Sequence, residues 1–242
     1  MTDSEKLAHR YRRDGFVHIE GFCSPEEVGR LRTAIEDAPE RDPEPNPLTL
    51  DSMRFASNLL YGSPVLQEFL GSDRVVALAS TLRGPDLWVR WDQAVWKGPG
   101  APAFPWHQDN GYTELGAEHL QMWIALTPMR ADNGGLAVWP RGHRRLLNHR
   151  WIGNHVVTDP EEIEGSAAVD VTAQAGDLVV FSSFLPHTTH PNTTDEIRLA
   201  YVAEFLPLSE PDRTVRPPHF IACRHGRPEP SFCDLSSEWA GG

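Results

Sequence analysis

The sequence is short of cysteine, of positive charge and of long apolar runs, and each shortage removes a class of protein. Three cysteines (Cys23, Cys223, Cys233) stand among 242 residues. The number is odd, and the spacing fits neither a disulfide framework nor a paired zinc site. Cys223 and Cys233 bracket His225, but no second pair accompanies them, so all three read as ordinary thiols in a reducing compartment. Lys and Arg total 22 against 34 Asp and Glu, a formal charge of −12. That excess argues against a nucleic-acid backbone or an anionic membrane as the main partner. No apolar stretch approaches the ~20 residues of a membrane span. The first residues, MTDSEKLAHRYRRDG, lack the apolar segment of a secretion signal, so a cytoplasmic protein is expected. Internal repeats, low-complexity tracts and the strand–helix alternation of a doubly wound nucleotide fold are also missing. What is present is 40% hydrophobic residues, 11 His and 8 Trp, enough to build a full core without staples.

The first third reads as helix with one strand, FVHI at 16–19. Ser24-Pro25-Glu26-Glu27 offers an N-cap, a Pro at the first helical position and a Glu three residues after the cap. The helix it opens is expected to reach about Asp37, with Val28, Leu31 and Ile35 on one face. PERDPEPNP (39–47) is expected as a loop. Ser63-Pro64 and Ser72-Asp73 start two more helices, the second ending near Gly84. From Asp86 the hydrophobic period changes to two. Strands are expected over 86–97, 119–129, 136–140, 169–173, 178–182 and 197–206, with turns at Asp132–Gly135 and Ala175–Asp177. Parity puts Trp88 and Trp96 on one face of the first of these strands and Trp91 on the other. The fold class is therefore mostly β within α+β, a β-sandwich or jelly roll with flanking N-terminal helices. One domain is expected over 1–242: a helical flank to about 85, a jelly-roll core over 86–206, and an extended tail over 207–242 packing on the surface.

One constellation carries chemistry: His107-Gln108-Asp109, then His187 after the strand LVVFS, then Arg198 at the start of the next strand. Two imidazoles and one carboxylate can occupy one face of a six-coordinate iron and leave three positions open. Residues i and i+2 of an extended segment point to the same side, which suits His-x-Asp. Neither spacing is specific alone. A His-x-Asp pair arises by chance about once in such a chain, and His119 and Arg130 repeat the eleven-residue interval. His190 competes with His187 for the distal position, although the interval to Arg198 favours His187. The order and context of the pieces carry the weight.

The segments FPWHQDNGY (104–112), MWIALTPMRADNGGLAVWPRGHR (122–144) and AGDLVVFSSFLPHTTHPNTTDEIRLAY (175–201) resemble the phytanoyl-CoA dioxygenase (PhyH) family of iron(II)/2-oxoglutarate oxygenases. The likeness spans roughly residues 86–206. It implies a double-stranded β-helix, with His107, Asp109 and His187 as ligands of Fe(II) and Arg198 binding the distal carboxylate of 2-oxoglutarate. It implies Thr189 as support for that carboxylate and Trp123 beside the co-substrate, with Gln93 and Lys97 as weaker correspondences. Phe104, Trp106, Tyr112, Trp139 and Arg141 are candidates for the substrate pocket. The sequence PRGHRR departs from the family's Pro-Gly-Ser-His turn by carrying Arg141 and Gly142, which leaves the backbone shape there open. The implied reaction uses O2, with ascorbate as a supporting reductant, and hydroxylates an unactivated C–H bond of a small molecule such as an amino acid or secondary metabolite, releasing succinate and CO2. Retention of Asp109 favours oxygenation over halogenation. Desaturation, epoxidation, cyclisation or stereoinversion by the same chemistry, a non-catalytic jelly-roll binding module, and a demethylase of peptide or nucleic acid are the alternatives. A monomer or homodimer is expected.

Overall fold

A computed structural model describes residues 2–39, 52–113, 115–163, 165 and 167–239. The proline-rich loop expected over 39–47 falls outside them from residue 40 onward. The helices begin where local chemistry satisfies their first N–H groups. In α1 (Asp3–Asp14) Thr2 caps the helix, and Glu5 answers from the first turn. The chain then forms β1 (Phe16–Ile19). In α2 (Pro25–Asp37) the Ser24 hydroxyl accepts from the Glu27 N–H at 3.2 Å, while the Glu27 carboxylate accepts from the Ser24 N–H at 2.9 Å. Such reciprocal caps contribute about 1 kcal/mol each. After β2 (Met53–Ser57), Pro64 opens α3 (Pro64–Leu70), and α4 (Asp73–Arg83) ends at Gly84.

The β half supplies β3 (Leu87–Lys97), β4 (Phe104–His107), β5 (Leu120–Ala125), β6 (Leu136–Val138), β7 (His149–Ile152) and β8 (His155–Thr158). It continues with β9 (Val169–Val171), β10 (Leu178–Ser182), β11 (His187–Thr189), β12 (Arg198–Pro207), β13 (His219–Arg224) and β14 (Arg227–Cys233). Eight strands form a large antiparallel sheet in the order β1-β10-β5-β12-β3-β13-β14, with β2 also paired to β3. Four form a smaller sheet, β4-β11-β6-β9, and β7 and β8 make a separate hairpin. The result is the jelly roll expected from the sequence.

The large sheet is covered on both faces. Leu31, Ile35, Leu66 and Val75 of the helices pack on its outer face against Tyr201, Ala203 and Phe205. Its inner face turns Trp123, Val179, Phe181 and Ala200 toward Leu136 and Val138 of the small sheet. Every residue of β5 and β10 is buried, which is why those segments read as apolar runs.

Two expectations are corrected. Residues 219–233 are not a surface tail. They form the β13–β14 hairpin, and β13 pairs with β3 through Phe220↔Val89 and Ile221↔Trp88. The alternation in HFIACR was short and flanked by Pro and Arg, so it read as irregular. Only the docked partner strand makes it a strand. Behind it Trp88, Leu206, Leu208, Ile221 and Leu235 close a small cluster, with Trp88 edge-on to His219 at 5.4 Å. The parity of the β3 tryptophans also fails. Glu204 pairs with Trp91 but Phe205 with Val89, so Arg90 is an extra residue in a β-bulge. The bulge inverts the alternation: Trp88 and Trp91 share the inner face, and Trp96 packs on the helical side.

Candidate active site

The pairing of β4 with β11 sets His107 directly opposite His187. Eighty positions of chain therefore collapse to a cross-strand pair whose ring centroids lie 4.1 Å apart. Each imidazole is oriented by the backbone two residues before it. His107 Nδ1 lies 2.8 Å from the Pro105 carbonyl and His187 Nδ1 2.9 Å from the Leu185 carbonyl. A carbonyl can only accept, so both Nδ1 atoms carry the proton and both Nε2 atoms present a lone pair. Those Nε2 atoms face Asp109 Oδ1, at 3.5 Å from His107 and 3.7 Å from His187. One donor atom from each of the three residues falls within 4.8 Å of the others, and no other such group of three occurs among the described residues. Gln108, between the two, turns away: its Nε2 donates to the Arg145 carbonyl at 2.9 Å and its Oε1 accepts from the Leu147 N–H, which pins the loop carrying Asp109.

The site's electrostatics favour ligand forms. Burial and the neighbouring His107 push His187 down to about 4, leaving it neutral at pH 7. Burial works to raise the Asp109 carboxyl, but His187 and His107 outweigh it and hold it below the usual carboxylate range. His190, the competitor for the distal position, is instead half-exposed and bound to Asp170 at 2.6 Å.

The same cavity holds a second feature. Arg198 is 1% exposed, and burial lowers it to about 10. Its Nε donates to the Gly134 carbonyl at 3.1 Å, yet its Nη2 has no hydrogen-bond partner among the described residues. Lys97, its register partner on β3, is fully buried. Burial, with Arg198 adding repulsion, drops Lys97 to about 7. Its Nζ donates to Thr189 Oγ1 at 2.8 Å, and neither cation has a carboxylate partner among the described residues. Two buried cations with an orphaned donor and no anion form a site built for an anion. Gly134 makes the approach possible. It sits at φ +88°, and a Cβ there would come within 2.5 Å of the Lys97 side chain. Trp123 lies alongside, 5.9 Å from the Arg198 guanidinium carbon to its ring centroid.

The cavity lining joins His107, Asp109, His187, Arg198, Thr189, Trp123, Gln93 and Phe104. Gln93 is tied to Ser57 at 3.0 Å. The other candidates are not brought into the lining, and Lys97 lies behind Arg198 rather than on the cavity surface. Tyr112 stands edge-on behind His107 at 5.7 Å, Trp106 and Trp139 are half-buried, and Arg141 is exposed. Arg141 adopts φ +69° and donates its N–H to the Asp14 carbonyl at 2.8 Å, so the turn keeps a left-handed shape with an arginine at a position that favours glycine. Sequence reasoning missed Gln121, Phe181 and Glu204, which line the cavity together with Trp91 and the apolar Met53, Phe55, Val95, Leu136 and Val202. Parity was the available signal, since Gln121 shares a face with Trp123, and Glu204 lies an even number of residues from Arg198.

Comparison with known proteins agrees with this geometry. The sequence profile of the phytanoyl-CoA dioxygenase (PhyH) family matches residues 11–200. The chain belongs to that family. It is accordingly an iron- and 2-oxoglutarate-dependent oxygenase, and the donor set and cationic end described above suit both groups. It is 26% identical over 221 residues to the methylphosphonate hydroxylase of Gimesia maris, covering 88% of this chain and 83% of that protein. It is 31% identical over 150 residues to the ectoine dioxygenase of Streptomyces coelicolor, covering 56% of this chain and 49% of that one. In fold it is similar to the epimerase SnoN of nogalamycin biosynthesis, solved with Fe3+ and alpha ketoglutarate (TM-score 0.72, 24% identity, 95% and 97% coverage). It is also similar to EctD from S. alaskensis with bound Fe (TM-score 0.73, 21% identity, 95% and 86% coverage). No helix among the described residues is long and apolar enough to cross a membrane.

Proposed function

We propose that this oxygenase hydroxylates an unactivated C–H bond of a small organic molecule, with release of succinate and CO2. In this reading His107 Nε2, Asp109 and His187 Nε2 hold iron(II), which supplies the oxidising chemistry when bound with 2-oxoglutarate and O2. Arg198 receives the distal carboxylate of 2-oxoglutarate through its planar fork. Lys97 adds charge behind it, and the Thr189 hydroxyl, fixed by Lys97, presents a further polar group. Trp123 forms the wall of the co-substrate end. The two carbonyl-anchored imidazoles keep their lone pairs aimed at the metal without rearrangement, and Phe104 and Phe181 exclude water from the triad.

The observation that carries the reading is Arg198, lining the same cavity as the His-Asp-His triad with its Nη2 unpartnered among the described residues and the buried Lys97 behind it. A binding module that had lost catalysis has no use for both. Anaerobic addition of Fe(II) and 2-oxoglutarate to the purified protein is expected to produce the visible charge-transfer band of chelated 2-oxoglutarate, and admission of O2 to yield succinate. Absence of the band and of succinate across a broad panel of small molecules overturns the proposal. A hydroxylated product, against a desaturated, epoxidised or cyclised one, is then read by mass spectrometry.

A further inference from the structure

The cavity has two chemically opposite ends. Arg198, backed by its register partner Lys97, marks one. Six residues along β12, about 20 Å at strand spacing, Glu204 marks the other. There Arg90 donates to Glu204 at 2.6 Å and also pairs with Asp212, so one cation meets two carboxylates. Gln121, the register partner of Glu204 on β5, donates through Nε2 to Glu204 Oε1 at 3.1 Å. Because a carboxylate only accepts, this bond fixes the amide orientation and leaves Gln121 Oε1 as the free acceptor. Gln121 is 1% exposed, lines the cavity, and its Oε1 has no partner among the described residues. A buried acceptor left unmade is costly, and a ligand that supplies a donor removes that cost. Phe181, opposite Gln121 in the sheet, packs its ring 4.9 Å from His187, so this end adjoins the triad. Trp91 supplies an aromatic wall.

We propose that this end selects the oxidised substrate: a neutral or cationic molecule whose hydroxyl or ammonium group donates to Gln121 Oε1 beside Glu204, and not a phosphonate or carboxylate. Resting on the reading of the site above, it names the substrate class for that site. Among the described lining residues the one Arg or Lys side chain is Arg198, at the far end. An anionic substrate at the Gln121 end would meet Glu204, whose ion-pair partner Arg90 is already shared with Asp212, while the buried His119 stands 3.7 Å from the same carboxylate.

The test uses the full chain loaded with Zn(II) and 2-oxoglutarate, which stops turnover, and ligand-observed NMR with four probes of similar length: butanol, butylamine, butyrate and propylphosphonate. The alcohol and the amine are expected to bind at least 5-fold more tightly than either anion. Gln121→Leu is expected to remove that preference at least 5-fold while leaving the 2-oxoglutarate Kd unchanged. The ranking in the unaltered protein stands even if the variant does not fold. Equal or tighter binding of the anions, no binding of either donor probe, or an unchanged preference in a folded Gln121→Leu protein overturns the proposal. Failure of 2-oxoglutarate to bind while the donor probes keep their preference would instead count against the co-substrate assignment alone.

Discussion

Lys97→Met separates function from stability most sharply. Lys97 is fully enclosed, and burial beside Arg198 brings it down to about 7 from its ordinary value of about 10.4. The unfolded chain holds the proton up to about pH 10.4, whereas the folded chain releases it near pH 7. Stability therefore rises with pH between these values, and the full penalty acts below pH 7. At 1.36 kcal/mol per pH unit the depression corresponds to about 5 kcal/mol. Loss of the hydrogen bond to Thr189 Oγ1 takes back about 1–2 kcal/mol. The ligand-free Lys97→Met protein is thus expected to be about 3 kcal/mol more stable than wild type at pH 6, with the gap closing toward pH 10. Binding runs the other way. A charge-assisted contact contributes about 1.5–3 kcal/mol, so the variant is expected to bind 2-oxoglutarate roughly 10- to 100-fold more weakly below pH 7. The wild-type affinity is expected to fall as pH rises above 7, a slope the variant lacks. Denaturant melts of the ligand-free protein and calorimetric titration of the Zn(II)-loaded protein, both over pH 6–9, measure the two halves. A variant less stable at pH 6 with an unchanged 2-oxoglutarate Kd would refute the reasoning and make Lys97 a packing residue.

Other outcomes follow from the same geometry. His187→Ala is expected to abolish Fe(II) binding and turnover together, while Arg198→Ala keeps the metal and raises the 2-oxoglutarate requirement at least 10-fold; equal loss of metal in both, read by equilibrium dialysis, contradicts the division of roles. Burial lifts the enclosed Asp92 carboxyl to about 7 despite hydrogen bonds from Tyr201 and the Leu60 N–H. The folded state then holds a proton that the unfolded state loses near pH 4, so stability falls as pH rises from 4 to 7. Asp92→Asn is expected to stabilise the protein at pH 8 by up to about 4 kcal/mol and to match wild type near pH 4, as urea titrations at both pH values will show. Arg141→Gly relieves the left-handed backbone at φ +69° and is expected to stabilise by up to about 1 kcal/mol; a loss in urea titration would show that the Arg141 charge beside Asp14 outweighs the strain.

The starts of α2, α3 and α4 were legible from local signals, as where Ser24, Pro25 and Glu27 meet within one turn, whereas the Thr2 cap of α1 was passed over. In the β half, β3, β5, β6, β9, β10 and β12 were legible by period, with β10 on the expected residues 178–182, whereas the short β4, β7, β8 and β11 were not foreseen. Periodicity failed where a distant partner decides. Arg90 becomes a bulge only against Glu204 and Phe205, and β13 becomes a strand only against β3. Of the candidate site, the ordered motifs pointed to His107, Asp109, His187 and Arg198, and the fold brings these four to one cavity. Gln121 and Glu204 were passed over because a polar residue on a strand reads as solvent-facing until the opposing layer is known.

The sequence by itself determined the class of protein: the caps, the change of period, the shortage of basic charge and cysteine, and the three donors suited to iron. Those properties live in single residues or in neighbours along the chain. Only the tertiary structure decided that His107 faces His187 in register, and that, among the described residues, Lys97 and Arg198 lie buried together without a carboxylate partner and Gln121 keeps one acceptor free at the other end of the cavity. Each of those depends on which strand pairs with which and on water being excluded. Burial turns a surface lysine or glutamine into a group that needs a ligand, and no stretch of sequence shows where water will be missing.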